Sequence, residues 1–338
     1  MTLELTARDL DEARATLAGR VHRTPIFSSR SLSERTGLRV WLKAENLQKT
    51  GSFKPRGAFN KVRHLPRGEA RRGVITASAG NHGQALAYVA ACEGIPGFVV
   101  MPENANPSKA AAVAEYGAKA IRFGRDWDDA YEHSRQLAIE MGLVYVHPFK
   151  DPYILAGQGT TALEILEDLP EAEALLIPIG GGGLISGMAM TVRLRRPEMR
   201  IIGVEPAGSP NMFRSRQAGC SVDLDRLETI ADGLATRRTD PEVFDIINRC
   251  VDELVTVSDE EILAGMRFLL ERVKLVAEPA GAVTAAALLA RKASLPEGAR
   301  TVAVVSGGNL DIAAYFKTDR RSGGRQDVPP LHQREETH

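Results

Sequence analysis

Lys54 is the residue of this chain whose surroundings most clearly suggest covalent chemistry. It lies in the segment Lys49–Ala58, KTGSFKPRGA, where two glycines permit a close backbone approach and Phe53 offers a flat apolar face. A lysine held against an apolar surface loses proton affinity, because desolvation penalises the charged form. The neutral amine is a nucleophile that forms an imine with an aldehyde. Because a proline follows directly, we expect Lys54 itself to lie outside a helix.

Three other glycine-bearing loops each follow a predicted strand and lead into a predicted helix. Their sequences are SAGNHG at Ser78–Gly83, GGGGL at Gly180–Leu184 and SGGN at Ser306–Asn309. In open α/β sheets, ligands bind outside the carboxyl ends of the strands. A helix that begins there presents unpaired N–H groups and a positive dipole end, which favour an anion. We therefore expect anion sites at this edge of the sheet.

A run of four glycines occupies positions Gly180, Gly181, Gly182 and Gly183. Such a run lowers stability, because glycine loses the most backbone entropy on folding, and a function would account for its presence. N–H groups that wrap around a phosphate would explain it. The run does not match the dinucleotide pattern G-x-G-x-x-G, since Ile185 stands at the last position, and it lacks the Gly-Lys-Ser/Thr of a P-loop. The sequence therefore favours a phosphate site of another kind.

The first and third loops supply polar partners. The hydroxyl, amide and backbone donors between Ser78 and His82 suit a carboxylate, although capping of the following helix by Ser78 or Asn81 would use the same geometry. His82 could act as a base, but a packed and hydrogen-bonded ring is the favoured interpretation. Ser306 adds a neutral hydroxyl. An imine-forming lysine, a phosphate cradle and a neutral hydrogen-bond partner together fit pyridoxal phosphate (PLP), and the carboxylate cradle fits an amino-acid substrate.

Composition limits the other classes of function. The chain has 338 residues, of which 43% are apolar and 25% charged, and its formal net charge is zero. We expect no nucleic-acid partner and no membrane association, since there is neither a basic excess nor an apolar run of about 20 residues. The three cysteines form no Cys-x-x-Cys pair, and the N-terminus does not look like a signal peptide. These features predict a location in the reducing cytoplasm.

Strand-like and helix-like segments alternate along most of the chain, which predicts an α/β fold with parallel sheets covered by helices. The predicted strands are 40–43, 74–77, 97–101, 119–123, 174–179, 201–205, 251–257 and 301–305, and the predicted helices are 84–93, 107–116, 127–141, 159–168, 184–195, 259–273 and 281–290. The tail 318–338 has almost no apolar residue and is expected to be disordered.

The four motifs, in this order, resemble those of the fold-type-II PLP enzymes, whose fold is tryptophan synthase β-like. Within this family the motifs resemble most those of the serine/threonine dehydratases (threonine ammonia-lyases) and serine racemases. The resemblance covers roughly residues 20–317. It implies a large PLP-binding domain formed by 1–45 and 147–317, with a small mobile domain at 46–146. It also implies a homodimer or homotetramer.

The resemblance assigns roles to particular residues. Lys54 would hold pyridoxal 5'-phosphate as an imine and act as the catalytic base. The other cofactor-binding residues would be Phe53 beside the ring, Asn81 at its phenolic oxygen, Gly180, Gly181, Gly182, Gly183 and Leu184 at the phosphate, Gly233 at the opposite ring face and Ser306 at the ring nitrogen. The substrate carboxylate would be bound by Ser78, Gly80 and His82. No metal ligand is assigned, because Asn211 stands where a second carboxylate beside Glu205 would be needed.

The implied reaction is the elimination of a β-hydroxyl from L-threonine or L-serine, which yields a 2-oxo acid and ammonia. Ala79 replaces the serine that racemase-like relatives place on the opposite ring face, so racemisation is expected to be negligible. The alternatives left open are an amino-acid racemase, and a dehydratase acting on 3-hydroxyaspartate, phenylserine or an acid derived from hydroxyectoine. Two more are a β-replacement enzyme that adds a thiol and, less favoured because the lysine is kept, a non-catalytic PLP binder.

Overall fold

The computed structural model of this protein describes residues 3–105, 107–311 and 315. The tail 318–338, which the sequence predicts to be disordered, lies outside the described residues. Within the described ranges no helix combines the length and the apolar character needed to cross a bilayer.

Ten strands are described. In chain order they are β1 (Ile26–Ser28), β2 (Arg39–Ala44), β3 (Val74–Ala77), β4 (Gly97–Met101), β5 (Lys119–Arg122), β6 (Val144–Tyr145), β7 (Ala174–Pro178), β8 (Arg200–Pro206), β9 (Glu253–Val257) and β10 (Arg300–Val305). They form a six-stranded sheet of order β1-β2-β10-β7-β8-β9 and a four-stranded sheet of order β5-β4-β3-β6. Every neighbouring pair is parallel except β1 with β2.

The α-helices cover both sheets. They are α1 (Ala7–Leu17), α2 (Arg30–Thr36), α3 (Lys54–Arg63), α4 (Arg67–Arg72), α5 (Asn81–Glu93), α6 (Pro107–Glu115), α7 (Trp127–Met141), α8 (Pro152–Asp168), α9 (Gly183–Arg195), α10 (Asn211–Ala218), α11 (Pro241–Cys250), α12 (Asp259–Phe268) and α13 (Pro279–Leu289). Short 3-10 segments lie at Glu45–Leu47, Lys49–Gly51 and Asp232–Leu234, and a π turn at Leu269–Val273 follows α12.

Strand β7 shows why the large sheet is buried on both faces. All five of its residues are buried. Leu175 and Ile177 point into one apolar cluster, with residues of α8 and α9, while Leu176 points into a second cluster, with residues of α13. This alternation is the period of two of a β-strand, and a parallel sheet covered on both faces gives the continuous apolar run seen in the sequence. The predicted α/β fold with parallel sheets is confirmed.

The local predictions are partly right. β3, β4 and α7 have the predicted bounds, whereas α1, α3, α10 and α11 were not predicted. The expectation that Lys54 lies outside a helix is wrong, because α3 begins at Lys54 with Pro55 in its first turn. Proline is tolerated there, since its missing N–H would have had no intrahelical partner.

The two sheets draw on different parts of the chain. All strands of the four-stranded sheet lie between residues 74 and 145, and those of the six-stranded sheet lie before residue 45 and after residue 173. The division into a large domain and a small mobile domain stays a prediction.

Candidate active site

The amine of Lys54 occupies a confined, weakly polar position at the start of α3. Nζ donates a hydrogen bond to the carbonyl oxygen of Pro148 at 3.3 Å and lies 5.1 Å from the centroid of the Phe53 ring. Burial lowers the pKa of Lys54 to about 8, against the opposing effect of the Glu278 carboxyl. The amine is therefore much more easily neutral than that of an exposed lysine.

A buried ion network fixes the first turn of α3. The Arg56 guanidinium is fully buried and donates to Glu45 Oε1 at 2.8 Å and to Glu164 Oε1 at 2.7 Å. Lys43, on β2, pairs with the same Glu164 at 2.5 Å. Since Arg56 is two residues beyond Lys54, these contacts hold the lysine-bearing turn against β2 and α8.

The segment before Lys54 is joined to the loop after β10. The Phe53 N–H donates to the carbonyl of Ser306 at 3.1 Å, and the Gly308 N–H donates to the carbonyl of Gly51 at 2.9 Å. An isolated β-bridge pairs Ser52 with Gly307 between these two bonds. The structure thus brings together two motifs that are 250 residues apart in the sequence.

The glycine loop leads directly into α9. Gly182 is the N-cap of this helix, with a φ of +88°. No side chain among the described residues caps the first turn, so its N–H groups are available to an anion. Ser186, in the same turn, is fully buried, and its Oγ has no hydrogen-bond partner among the described residues. Free backbone donors and an orphaned hydroxyl fit the phosphate of PLP. Leu184 is nearly buried in the apolar core, so only its backbone is suited to this role.

Close packing also demands these glycines, a reason that the sequence did not reveal. A Cβ atom on Gly181 would lie 2.3 Å from the ring of Phe149, and one on Gly182 would lie 2.5 Å from a methyl group of Val243. A Cβ atom on Gly180 would lie 3.0 Å from the Cα of Leu234. Side chains at these three positions would therefore clash with neighbouring residues of the protein.

The start of α5 provides a second set of backbone donors. Gly80 is the N-cap. In the part of the chain that the structure describes, no side chain caps the first turn and a Cβ atom on Gly80 would meet nothing within 4 Å. Ser78 Oγ accepts from the Gly80 N–H at 3.2 Å rather than from the helix. The alternative use of Ser78 or Asn81 as a side-chain cap of α5 is not seen among the described residues, and the first turn can receive a carboxylate.

The ring of His82 is a packing element. It is buried, and Nε2 donates to the carbonyl of Val146 at 3.1 Å. Burial, helped by the charge of Lys54, lowers the pKa of His82 to about 3, so the ring is neutral at pH 7. This agrees with the interpretation favoured from the sequence. Only the backbone N–H of His82, in the first turn of α5, is suited to a substrate carboxylate.

The Asn81 amide is held at both ends. Its Nδ2 donates to Glu278 Oε1 at 2.6 Å, and its Oδ1 accepts from Asn309 Nδ2 at 2.7 Å. Asn309 Nδ2 also donates to the carbonyl of Thr50 at 2.8 Å. This bond connects the hydrogen-bonded series Glu278–Asn81–Asn309 to the segment that precedes Lys54. One N–H of Asn81 remains for a ligand oxygen such as the phenolic oxygen of PLP.

Gly233 and Ser306 both lie beside Ala280 at the start of α13. A Cβ atom on Gly233 would lie 3.1 Å from the Ala280 Cβ, and the Ser306 hydroxyl donates weakly to the Ala280 carbonyl at 3.4 Å. The Ser306 side chain is nearly buried and neutral, which fits an uncharged ring nitrogen. The roles of these two residues and of the other predicted site residues stay predictions.

Glu278, Asn309 and Phe149 belong to this site and were not assigned from the sequence. Glu278 did leave a signal, because it is the only charged residue between Leu275 and Ala290 and it directly precedes the proline that starts α13. Phe149 left none, since its contact with the glycine loop depends on the tertiary fold.

Glu205 and Asn211 are both committed to hydrogen bonds. Glu205 accepts from the Met212 N–H at 2.8 Å and from the Phe213 N–H at 2.7 Å, and burial raises its pKa to about 7. The Asn211 amide bonds to two backbone carbonyls and to the Thr239 hydroxyl. In the part of the chain that the structure describes, no cluster of three or more His, Cys, Asp or Glu side chains could hold a metal ion.

Comparison with known proteins then decides the family. The family model described as "Pyridoxal-phosphate dependent enzyme" matches residues 17–307. This chain belongs to the pyridoxal-phosphate-dependent enzymes. Two curated members of the family are similar to it: L-threonine ammonia-lyase of Thermotoga maritima, 46% identical over 91% of this chain and 76% of the relative, and L-threo-3-hydroxyaspartate ammonia-lyase of Saccharomyces cerevisiae, 40% identical over 96% and 99%.

Among solved structures, that of maize serine racemase superposes with a TM-score of 0.88, at 37% identity, over 91% of this chain and 94% of that chain. The predictions of a fold-type-II enzyme of the dehydratase and racemase branch, with pyridoxal phosphate as its cofactor, are confirmed. The protein is a PLP-dependent lyase.

Proposed function

We propose that this enzyme eliminates water from a β-hydroxy L-amino acid with a neutral side chain, L-threonine or L-serine, and releases a 2-oxo acid and ammonia. The observation that carries the proposal is the partly buried Lys54 amine, whose pKa is lowered to about 8, together with the N-termini of α5 and α9, which no described side chain caps. One N-terminus suits a phosphate and the other suits a carboxylate.

Different residues would have different roles in this elimination. When bound, pyridoxal phosphate supplies an electron sink for the negative charge that develops at the substrate α-carbon. The neutral Lys54 amine, oriented by its hydrogen bond to the Pro148 carbonyl, removes the α-proton. The first turn of α5 binds the carboxylate and so fixes the α-carbon beside Nζ. The β-hydroxyl leaves as water, and water returns in the hydrolysis that frees ammonia, so the net products are the 2-oxo acid and ammonia.

The charges around Lys54 favour a substrate with a single carboxylate. Electrostatic effects couple Lys54 to Glu278, His82 and His147. Burial lowers the pKa of His147 to about 4, so both histidines are neutral at pH 7, and Lys109 is already paired with Asp232. These groups offer no spare positive charge to a second carboxylate, and the Arg135 guanidinium, whose charge also acts on His147, lies over the Tyr145 ring at 5.2 Å from its centroid. L-threo-3-hydroxyaspartate, the substrate named for the yeast relative, is therefore the second candidate.

A keto-acid assay over a panel of L-threonine, L-serine, L-threo-3-hydroxyaspartate and phenylserine tests the proposal. We expect the highest kcat/KM for threonine or serine and loss of turnover in Lys54→Ala. Lys61→Ala is the matched control on the same helix, since Lys61 pairs with Asp151 away from the site, and it should retain activity. Release of keto acid from 3-hydroxyaspartate alone would refute the substrate assignment, and turnover by Lys54→Ala equal to wild type would refute the mechanism.

Racemisation deserves a separate test because a serine racemase is among the similar structures. Proton delivery to the opposite face of the substrate requires an acid there, and the methyl group of Ala79 cannot supply a proton. We expect chiral chromatography to detect pyruvate but no D-serine from L-serine. D-serine formed faster than pyruvate would make the enzyme a racemase.

We expect a homodimer or homotetramer from the resemblance to the family. Light scattering on the purified protein would distinguish these states from a monomer.

We expect a cytoplasmic location from the sequence, and cell fractionation would check it.

A β-replacement activity is the other reaction to test. It would be revealed by the consumption of sulfide or homocysteine together with serine.

A further inference from the structure

Glu278 is a buried carboxyl of the site that the proposed reaction does not use. It is 6% exposed and immediately precedes α13. Its N–H donates to the Gly307 carbonyl at 3.1 Å, and its Oε1 accepts from Asn81 at 2.6 Å. A Cβ atom on Gly307 would lie 2.0 Å from the same oxygen, so the carboxyl is wedged between Gly307 and Asn81.

This contact decides which way the Asn81 amide points. The amide oxygen accepts from Asn309 and the amide nitrogen donates to Glu278. A flipped amide would set its oxygen against the Glu278 carboxylate and its nitrogen against the Asn309 donor, which loses two buried hydrogen bonds. The carboxylate therefore holds the second N–H of Asn81 in one direction.

Glu278 also sets the charge balance around Lys54. Burial raises the pKa of Glu278 to about 7, while the hydrogen bond from Asn81 opposes this rise. Of the charged groups that face Glu278, Asp232 on the 3-10 turn raises its pKa, and Lys109 on α6 and Lys54 on α3 lower it. In return, the Glu278 carboxyl raises the pKa of Lys54 against the effect of burial. The histidines that face Lys54 are neutral at pH 7 and cannot replace this negative charge.

We propose that Glu278 is a positioning residue of the active site: its carboxylate orients the Asn81 amide and balances the positive charge of the Lys54 ammonium. In the proposed elimination, on which this inference rests, the α-proton passes to Lys54 Nζ. Glu278 forms no bond to the substrate. It stabilises the protonated amine and holds the asparagine in the direction that a ligand oxygen requires.

Three variants separate charge from shape. Glu278→Gln keeps the size and an oxygen that can accept from Asn81, but it removes the charge. Glu278→Asp keeps the charge but shortens the side chain by one methylene and withdraws it from Asn81. Glu205→Gln is the matched control, because Glu205 is a buried carboxyl with a pKa raised to about 7 that bonds to the backbone of α10 instead of to this site.

The first measurement does not depend on turnover. The pH dependence of acetylation of the Lys54 amine is followed by mass spectrometry in full-length protein stripped of its cofactor, with circular dichroism to confirm folding. We expect Glu278→Gln to move the midpoint to lower pH, and Glu278→Asp and Glu205→Gln to leave it close to that of wild type. An unchanged midpoint in Glu278→Gln, or the same shift in Glu205→Gln, would overturn the inference.

The second measurement is the pH profile of kcat and kcat/KM in the holoenzyme. In Glu278→Gln the ascending limb should move to lower pH together with the acetylation midpoint. Glu278→Asp should lose kcat by roughly 10- to 100-fold because the asparagine is misplaced, with a smaller change in KM. Wild-type kinetics in Glu278→Asp would overturn the positioning role. If no β-hydroxy amino acid is turned over but the midpoint still shifts, the proposed function fails and the electrostatic role of Glu278 stands.

Discussion

Lys54 combines two properties at the scale of a single residue: an amine that burial makes easily neutral and a hydrogen bond that orients it. The pKa of about 8 means that the protonated form still predominates at pH 7. A base that must be neutral to accept the α-proton is therefore only partly active at that pH.

A pH profile checks this directly. As pH rises through about 8, the neutral fraction of Lys54 increases, so kcat should rise and then level off above pH 9. For an exposed lysine, with an ordinary pKa near 10.4, kcat would rise at a pH about two units higher. Steady-state kinetics between pH 6 and 10 would distinguish the two, and a limb centred near pH 10 would show that burial does not tune this amine.

At the scale of elements, α3 owes its position to a largely buried network of charges. Removing one member of a buried ion network leaves its partners uncompensated, which costs far more than the loss of an exposed pair. Arg56 is such a member: without it, Glu45 would lose its ion pair and Glu164 would keep only its pair with Lys43.

Arg56→Met should lower the free energy of unfolding by about 3–5 kcal/mol. The matched control on the same helix is Arg63→Met, whose pair with Glu93 is partly exposed and should cost no more than about 1 kcal/mol. Urea denaturation of both variants and wild type gives these differences. Equal losses in the two variants would mean that the buried network does not anchor α3.

The glycine loop allows a second test at this scale. Gly181→Ala should push the Phe149 ring aside and weaken PLP binding by at least about tenfold, because the cradle must shift to relieve a contact of 2.3 Å. Since the obstacle is a side chain, the double variant Gly181→Ala/Phe149→Ala should recover part of the affinity. Fluorescence titration of the stripped protein with PLP measures both effects, and additive losses would contradict a direct clash.

At the scale of the whole molecule, stability depends on pH through buried carboxyls outside the reaction. Burial raises the pKa of Glu205 to about 7. A raised pKa contributes stability that is present at low pH, and this contribution is lost as pH increases through the folded-state value. Ionisation of Glu205 is therefore expected to weaken the fold progressively between about pH 4.5 and 7.

Glu205→Gln should flatten this decline, by about 3 kcal/mol at most, because the amide does not ionise. The free energy of unfolding is measured in urea at pH values from 5 to 8. Glu171→Gln, at an exposed position, serves as the control and should keep the slope of wild type. A slope that is the same in all three proteins would show that Glu205 does not titrate in this range.

The sequence predicted the class of fold and singled out the loops that form the candidate site, because local patterns carry both. The apolar runs of β3 and β4 and the helical period of α7 can be read from neighbouring residues alone. The glycine motifs likewise indicate loops without any knowledge of the tertiary fold. Other features depend on partners far away in the chain. Distant residues that pair with Arg56 set the position of α3, and Glu278 becomes part of the site only when the start of α13 meets the start of α5.

The measurement that tests the account most directly is reduction of the holoenzyme with borohydride, followed by peptide mapping. If Lys54 carries pyridoxal phosphate through a carbon–nitrogen double bond, reduction must leave one pyridoxyl adduct, on the peptide that contains residue 54, and none in Lys54→Ala. An adduct on Lys49 or Lys61 instead, or no adduct on a protein that contains bound cofactor, would contradict the central claim.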